Sequence, residues 1–425
     1  MHRLASIPLV ALLLSACNAP DAALGVEGAP ENPGGATRAT TVTRVDLGTL
    51  GGASSYAADI NGANTVVGWS ETSGGATHAF RWTAAQGMVD LGTLPGDAMS
   101  RAVAVLGVGA QGDGRILGVS GDGDRWTPVV WSASGSISAL PIPLIPDFTV
   151  ALPTGFNARG DVVGSDAGGL QHGWIWSETD GKYDLSASVQ GGSNEGAAGA
   201  VNASGLVVLT TRANTCTRAP QCWRTYLWSR TTGYRALGTP GGESEANVTG
   251  LSLNENGIVA GWVTSGSTSG TAPYRWAAGT GFTSLANYSS GSSSYGYATA
   301  VNSNGTVVGA GFEPASGSIV ASTWLANGKI VKLSQDDPNP SVAVAINNPG
   351  TIAGWAAVSN GVNHAVIWQA SSQASSAILR PSTSMSVGAS TQRVSTASST
   401  CLADPGSITS RQALFSCVIK ADRRR

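Results

Sequence analysis

The chain has 425 residues, of which 12% are charged, and its formal net charge is −2 at pH 7. A nucleic-acid-binding surface needs a field of lysine and arginine to neutralise phosphates, so this composition argues against nucleic acid as a partner. Glycine is abundant, with 57 residues, and the apolar runs are short and separated by Gly, Ser and Asn clusters. This pattern favours short strands joined by tight turns and argues against long helices.

The first segment has the pattern of a secretory signal peptide, with a short positive start and an apolar stretch at residues 4–14 that is too short to span a bilayer. It ends in Leu-Ser-Ala-Cys, which resembles the lipobox of bacterial lipoproteins. The resemblance implies that residues 1–16 are removed and that Cys17 is lipidated. Asn18, by the same resemblance, favours the outer membrane over the inner membrane in a host that has one. An ordinary secreted protein with an incidental Cys17 is the alternative.

The segments at the two ends of the chain lack the composition of a folded core. Residues 17–41 are rich in Gly, Ala, Pro and Thr, and we predict a flexible, lipid-anchored tether there. Residues 371–425 are rich in Ser, Ala and Thr, and we predict an extended or partly disordered tail with a small disulfide loop.

The remaining cysteines form two close pairs, Cys216 with Cys222 and Cys401 with Cys417. In an oxidising compartment such pairs predict two local disulfides. Metal ligation is the less favoured alternative, because the CxxC spacing is absent and no histidine lies near either pair in sequence.

Between these end segments the sequence repeats every 45 to 52 residues. The clearest motif is Ile-Asn-x-x-Gly-x-Val-Val-Gly, whose glycine suits the left-handed conformation that a short hairpin turn needs. We place Gln111 at the asparagine position of the second copy. The other copies have Asn61, Asn157, Asn202, Asn254, Asn302 and Asn347.

A tryptophan marks the end of a later strand in each copy. In the first six copies a leucine follows nine residues after it, and this constant spacing predicts a fixed hairpin. Each unit therefore has four short strands, which together with the period is typical of a propeller blade. The tryptophans are Trp82, Trp131, Trp176, Trp228, Trp276, Trp324 and Trp368.

The seventh copy lacks its last strand, and a segment with the missing Asp-Leu-Gly-Thr-Leu pattern stands at the other end of the array, at residues 45–50. Leu47 precedes Asn61 by fourteen residues, the gap that separates leucine from asparagine between the last two copies. We therefore predict an all-β, seven-bladed β-propeller of four-stranded blades over residues 42–370, with its ring closed by the N-terminal strand. Residues 378–379 are the alternative source of the last strand.

The units resemble the bacterial extracellular repeat family named for its His-Ala-Phe tripeptide, the HAF repeats. The resemblance rests on His-Ala-Phe-Arg-Trp at residues 78–82, Asp-Leu-Gly-Thr-Leu at residues 90–94 and Ala-Asp-Ile-Asn at residues 58–61, and it extends over residues 42–368. It implies an exported, propeller-like array and supplies no catalytic residues.

Histidines and aspartates recur at fixed places in the repeat, which favours structural roles over catalysis. We expect the aspartate that directly precedes the leucine of the repeat to cap a turn through hydrogen bonds with backbone groups. The histidines are His78, His172 and His364, and the aspartates are Asp46, Asp90 and Asp184.

Two local features depart from the repeat. Asp122 and Asp124 lie in a short acidic turn that is a candidate calcium loop, with a solvated turn as the alternative. The fourth copy has an insertion that contains Cys216, Cys222 and Trp223. An exposed aromatic on a disulfide-pinned loop is a candidate recognition element, and a stabilised insertion is the alternative.

No catalytic constellation or cofactor motif emerges from the sequence. We predict a non-catalytic, monomeric, exported lipoprotein of the cell envelope that presents a propeller face to a glycan or protein ligand, touches the membrane only through its lipid and needs no cofactor. A structural envelope component is the second hypothesis. The third is a polysaccharide hydrolase or lyase with its site at the central channel, which converging carboxylates would favour.

The anchor hypothesis predicts that a Cys17→Ala variant loses membrane association, because no residue is left to carry the lipid. Cell fractionation measures this, with Asn18→Ala as the control that keeps the cysteine and stays with the membranes. Recovery of Cys17→Ala in the membrane fraction would contradict the anchor.

Overall fold

The computed structural model describes residues 42–109, 112–122, 125–144, 150–167, 172–189, 192–213, 222–264, 270–290, 294–334, 340–358 and 362–370. Within these ranges, thirty strands form seven four-stranded antiparallel sheets and one two-stranded ribbon. One short 3₁₀ helix, Pro240–Gly242, lies among them.

The first strand, β1 (Val42–Asp46), belongs to the last blade. Blade 1 contains β2 (Gly51–Ile60), β3 (Val66–Thr72), β4 (Thr77–Thr83) and β5 (Gly87–Asp90). Blade 2 contains β6 (Met99–Val105), β9 (Ile116–Gly121), β10 (Trp126–Trp131) and β11 (Ile137–Ala139), with the ribbon β7 (Val108–Gly109) and β8 (Gly112–Asp113) inserted after β6. Blade 3 contains β12 (Val150–Phe156), β13 (Val162–Ala167), β14 (His172–Ser177) and β15 (Gly181–Asp184).

The remaining blades follow the same order. Blade 4 contains β16 (Gly192–Val201), β17 (Val207–Ala213), β18 (Cys222–Ser229) and β19 (Gly233–Ala236). Blade 5 contains β20 (Asn247–Leu253), β21 (Val259–Thr264), β22 (Ala272–Ala277) and β23 (Gly281–Ser284). Blade 6 contains β24 (Gly296–Val301), β25 (Val307–Glu313), β26 (Ser318–Trp324) and β27 (Ile330–Lys332), and blade 7 contains β28 (Ser341–Ile346), β29 (Ile352–Ala357), β30 (Asn363–Ala370) and β1.

The first strands of neighbouring blades contact one another around the whole ring, which places them innermost and the fourth strands outermost. The predicted seven-bladed β-propeller is thus confirmed. We call one side of the ring the turn face; it carries the hairpins between first and second and between third and fourth strands, such as residues 61–65 and 84–86. The opposite side, the loop face, carries the second-to-third hairpins and the connections between blades, such as residues 73–76 and 91–98.

The N-terminal strand closes the ring, as the spacing predicts. β1 pairs antiparallel with β30, from Val42 opposite Ala370 to Asp46 opposite Val366. The pairing with β30 continues one residue beyond β1, because the backbone N–H of Leu47 donates to the carbonyl of Ala365 at 2.9 Å. The same leucine-to-third-strand hydrogen bond occurs in the other six blades, so β1 stands in for the missing fourth strand. The alternative segment, residues 378–379, lies outside the described residues.

The repeated asparagine joins each blade to the next. In blade 6, the Asn302 side-chain oxygen accepts the backbone N–H groups of Asn304 and Thr306, which holds the hairpin. Its amide nitrogen donates to the carbonyl of Asn347 in blade 7 at 3.1 Å. Equivalent bonds run from Asn61 to Leu106, Asn157 to Asn202, Asn202 to Asn254, Asn254 to Asn302 and Asn347 to Asn61.

Blade 2 departs from this scheme, and our placement of Gln111 at the asparagine position is wrong. Leu106 receives the hydrogen bond from Asn61, and Gln111 itself lies outside the described residues. The N–H of Leu106 bonds to the carbonyl of Arg115, nine residues on, whereas the other hairpins close four residues on. The inserted ribbon therefore displaces the motif, and a leucine side chain offers no amide to blade 3.

Every first strand carries a one-residue β-bulge at the same place. In blade 5 the bulge follows Gly250, and a side chain on the facing Gly261 would lie 1.9 Å from the carbonyl oxygen of Thr249. This close approach explains the final glycine of the sequence motif. The bulged residues are Ala58, Val103, Thr154, Gly199, Leu251, Thr299 and Val344.

All seven bulged residues are buried. They lie on the innermost strands, next to the first strands of the neighbouring blades. Hydrogen bonds accompany the packing, with the Thr154 hydroxyl donating to the carbonyl of Ala198 at 2.6 Å and that of Thr299 donating to Ala343 at 2.7 Å. These hydrogen bonds join neighbouring first strands at the level of the bulge.

The repeated tryptophans pack each third strand against the preceding blade. Six are buried and Trp82 is half-buried. The indole N–H of Trp131 donates to the carbonyl of Leu91 in blade 1 at 2.8 Å, and that of Trp324 donates to the carbonyl of Ala286 after blade 5 at 2.7 Å.

Replacing Asn302 with Ala is expected to lower the free energy of unfolding by about 2–3 kcal/mol, because two N–H groups of the hairpin lose their acceptor and the buried hydrogen bond to blade 7 is lost. Chemical denaturation measures the loss. The control is Asn304→Ala, two residues away and exposed, which should cost far less. Equal losses in the two variants would contradict the role assigned to Asn302.

Candidate functional site

Histidine and aspartate pair on the loop face of three blades, where the third strand begins and the fourth ends. The ring nitrogen Nδ1 lies 2.8 Å from the carboxylate in His78–Asp90, 2.7 Å in His172–Asp184 and 2.9 Å in His364–Asp46.

The second oxygen of each carboxylate accepts a nearby backbone N–H, from Gly48, Gly92 or Ala187. The expected turn capping is confirmed, but the pairing with histidine was missed. A signal was available, because histidine and aspartate occur together in the same three copies and both are absent from the other four.

Blade 3 adds a buried ion pair beside its His–Asp pair. Lys182 Nζ lies 2.7 Å from the Asp166 carboxylate, and the two side chains are 6% and 0% exposed. The ammonium also donates to the carbonyl of Pro143 and lies over the Trp174 ring, 5.1 Å from its centroid. Burial raises the pKa of Asp166 and lowers that of Lys182, and their mutual hydrogen bond opposes both shifts. Both groups are enclosed by protein, so a ligand does not reach them in this structure.

Blade 4 holds the candidate recognition loop. Cys222 is disulfide-bonded, but Cys216 lies outside the described residues, so their pairing stays a prediction. Trp223 is half-buried and its indole nitrogen is inaccessible, unlike the exposed aromatic we expected. The guanidinium of Arg224 donates to the carbonyls of Ser244 and Ala246, which ties this strand to the connection leading into blade 5.

The acidic turn of blade 2 behaves as a turn in the described part. Asp122 accepts the backbone N–H of Arg125 at 2.9 Å, and Asp124 lies outside the described residues. Cys401 and Cys417 lie outside them as well, as does Cys17. Among the residues that the structure describes, no three His, Cys, Asp or Glu side chains are placed to hold a metal ion.

Carboxylates do not converge on the propeller axis in the described first strands. Those strands contain Asp59 in blade 1 and Glu195 in blade 4. Asp59 accepts the backbone N–H of Val105 at 2.9 Å, and Glu195 pairs with Arg212 at 3.2 Å. Each of these two carboxylates therefore already has a partner within the protein.

Blade 5 contains a cavity of about 350 Å³ on the loop face. Its wall includes Ala272 and Ser284, which stand four residues before the tryptophan and one before the leucine, the places of histidine and aspartate in blades 1, 3 and 7. Both side chains are smaller than the histidine and aspartate that stand at these places in the other three blades. Sequence reasoning missed this cavity, since it arises from missing side-chain volume.

The remaining wall of the cavity combines apolar and polar groups. Pro240, Pro273 and Phe282 supply apolar surface, and the Phe282 ring packs edge-on against Tyr274 with a centroid distance of 5.0 Å. Glu243 follows the short 3₁₀ helix and lies at the exposed edge. No lysine, arginine or histidine is among the described residues that line the cavity.

Comparisons with known proteins concern the fold alone. No protein-family model and no curated protein sequence matches the chain. Virginiamycin B lyase from Staphylococcus aureus is similar in structure, with a TM-score of 0.48 and 11% identity, over 77% of this chain and 98% of the lyase. An acylaminoacyl peptidase from Pyrococcus horikoshii has a TM-score of 0.47 and 10% identity, over 76% of this chain and 52% of the peptidase. We draw nothing about activity from similarities this distant.

In the described ranges, no helix combines the length and apolar character needed to cross a membrane.

The buried pair of blade 3 predicts a charge-dependent stability. Lys182→Met is expected to lower the free energy of unfolding by about 3–5 kcal/mol near neutral pH, because Asp166 is left as an unpaired buried charge. The loss should shrink as the pH falls, because the raised pKa of Asp166 lets it bind a proton and become neutral. Denaturation at several pH values measures this, and a loss independent of pH would contradict the assignment.

The matched control is the double variant Asp166→Leu with Lys182→Met, which removes both charges and should lose far less stability than the single variant.

Proposed function

We propose that the protein is a non-catalytic binding module that takes its ligand on the loop face, at the cavity of blade 5. The observation that supports this is the cavity itself, whose wall includes Ala272 and Ser284 at the places that hold a histidine and an aspartate in blades 1, 3 and 7. A cavity whose wall combines apolar surface with a few polar groups is the default candidate for ligand binding.

The titratable groups of the loop face also favour binding over catalysis. The histidines are paired with carboxylates that cap turns, as His78 is with Asp90. The Asp166–Lys182 pair is enclosed.

The sequence supports a location of the protein in the cell envelope. We infer export and lipidation at Cys17 from the lipobox resemblance, with the outer membrane favoured by Asn18, and an extracellular role from the HAF-repeat resemblance. A glycan or an envelope protein is the ligand that such a location offers.

Rebuilding the family pair in blade 5, as Ala272→His with Ser284→Asp, tests the proposal. The cavity should fill, because blades 1, 3 and 7 place the same side chains there, and ligand binding should fall at least tenfold. The full chain is screened on a glycan array and by pull-down from envelope extract. The control is Thr280→Arg on the turn face of the same blade, which should bind normally.

Binding that survives in the rebuilt variant would overturn the cavity as the site. A parent chain that captures neither a glycan nor a protein would overturn the binding role and favour a structural envelope component.

A further inference from the structure

Resting on the proposed binding function, we propose that the blade 5 cavity takes a neutral or amino-bearing saccharide unit and that Glu243 selects against acidic sugars. The cavity volume of about 350 Å³ lies at the lower end of the range for small-molecule sites, about 300–1,000 Å³. This size suits one or two sugar rings and is too small for a folded protein element.

The apolar part of the wall fits the C–H face of a sugar ring. Phe282 is half-buried, and its edge contact with the buried Tyr274 fixes the ring orientation before a ligand arrives. A preordered aromatic surface contributes apolar contact at low cost in side-chain entropy. Pro240 and Pro273 extend this surface, and their rings are rigid as well.

The polar part of the wall fits hydroxyl groups. Ser284 and Glu243 both line the cavity and both are exposed, so a hydroxyl and a carboxylate are available at its wall. A carboxylate accepts hydrogen bonds from sugar hydroxyls, and such charge-assisted bonds are stronger than neutral ones. These groups supply hydrogen bonds that an aliphatic or lipid ligand could not use.

The charge of the wall sets the selectivity. Glu243 is the one charged residue among the described residues that line the cavity. The guanidinium of Arg224 keeps its charge while bound to the carbonyls of Ser244 and Ala246, but Arg224 is not among the lining residues. At the described wall, an acidic sugar or a phosphate would meet the negative charge of Glu243 and no lining cation, whereas an ammonium group would be attracted.

Binding of matched oligosaccharides to the full chain tests the proposal. The probes are a neutral oligosaccharide, the same backbone bearing an amino sugar and the same backbone bearing a uronic acid, each titrated by calorimetry. We expect the parent chain to bind the uronic-acid probe at least tenfold more weakly than the other two.

Charge reversal provides the decisive comparison. Glu243→Lys should abolish the discrimination against the uronic-acid probe, while Glu243→Gln should reduce it and keep binding of the neutral probe within a few-fold. Phe282→Leu keeps an apolar side chain but removes the aromatic face, so it should weaken all three probes. Glu245→Gln, two residues away and outside the cavity wall, is the matched control.

Failure of this proposal is distinguishable from failure of the proposed function. A protein ligand captured from envelope extract and lost in the Ala272→His with Ser284→Asp variant would keep the binding role and overturn the saccharide. Discrimination against the uronic-acid probe that persists in Glu243→Lys would overturn the role of Glu243.

Discussion

The structure depends on the repeated asparagine, whose side-chain oxygen and nitrogen both form hydrogen bonds. The carbonyl oxygen of the repeated asparagine accepts N–H groups of its own hairpin, and its amide nitrogen donates to the backbone of the next blade, as Asn254 does toward Ile258 and Asn302. Aspartate could serve only the hairpin, and a lysine only the neighbour. Because the two bonds share one rigid amide, the angle between the hairpin and the adjacent blade is fixed together with the hairpin itself.

The bulge and the tryptophan complete this geometry. The bulge brings the backbone of the first strand close to the second, which a glycine such as Gly354 permits. The tryptophan then fills the wedge between blades, as Trp368 does in blade 7. The His–Asp pairs and the cavity lie away from these shared contacts, on the loop face, whereas the ribbon inserted in blade 2 extends a hairpin on the turn face.

The sequence predicted those features that depend on spacing. Closure by β1 followed from the position of Leu47 relative to Asn61, since register in a sheet depends on a count of residues. Our assignment of Gln111 to the asparagine position shows the limit of that reasoning. The inserted ribbon preserves a spacing like that of the motif, but the hydrogen bond that joins blade 1 to blade 2 is made at Leu106. The Asp166–Lys182 pair and the blade 5 cavity were not predictable, since each depends on which side chains reach one another across strands and connections.

The pairing of β1 with β30 also determines when the propeller can be completed. Asp46 and His364, which meet in the last blade, are separated by 318 residues. The first strand to be synthesised therefore has no partner until nearly the whole array exists, and the closing step carries the largest loop-closure entropy in the molecule. Until the seventh blade has been synthesised the ring stays open with an unpaired edge, and only pairing of β1 with that blade removes the edge.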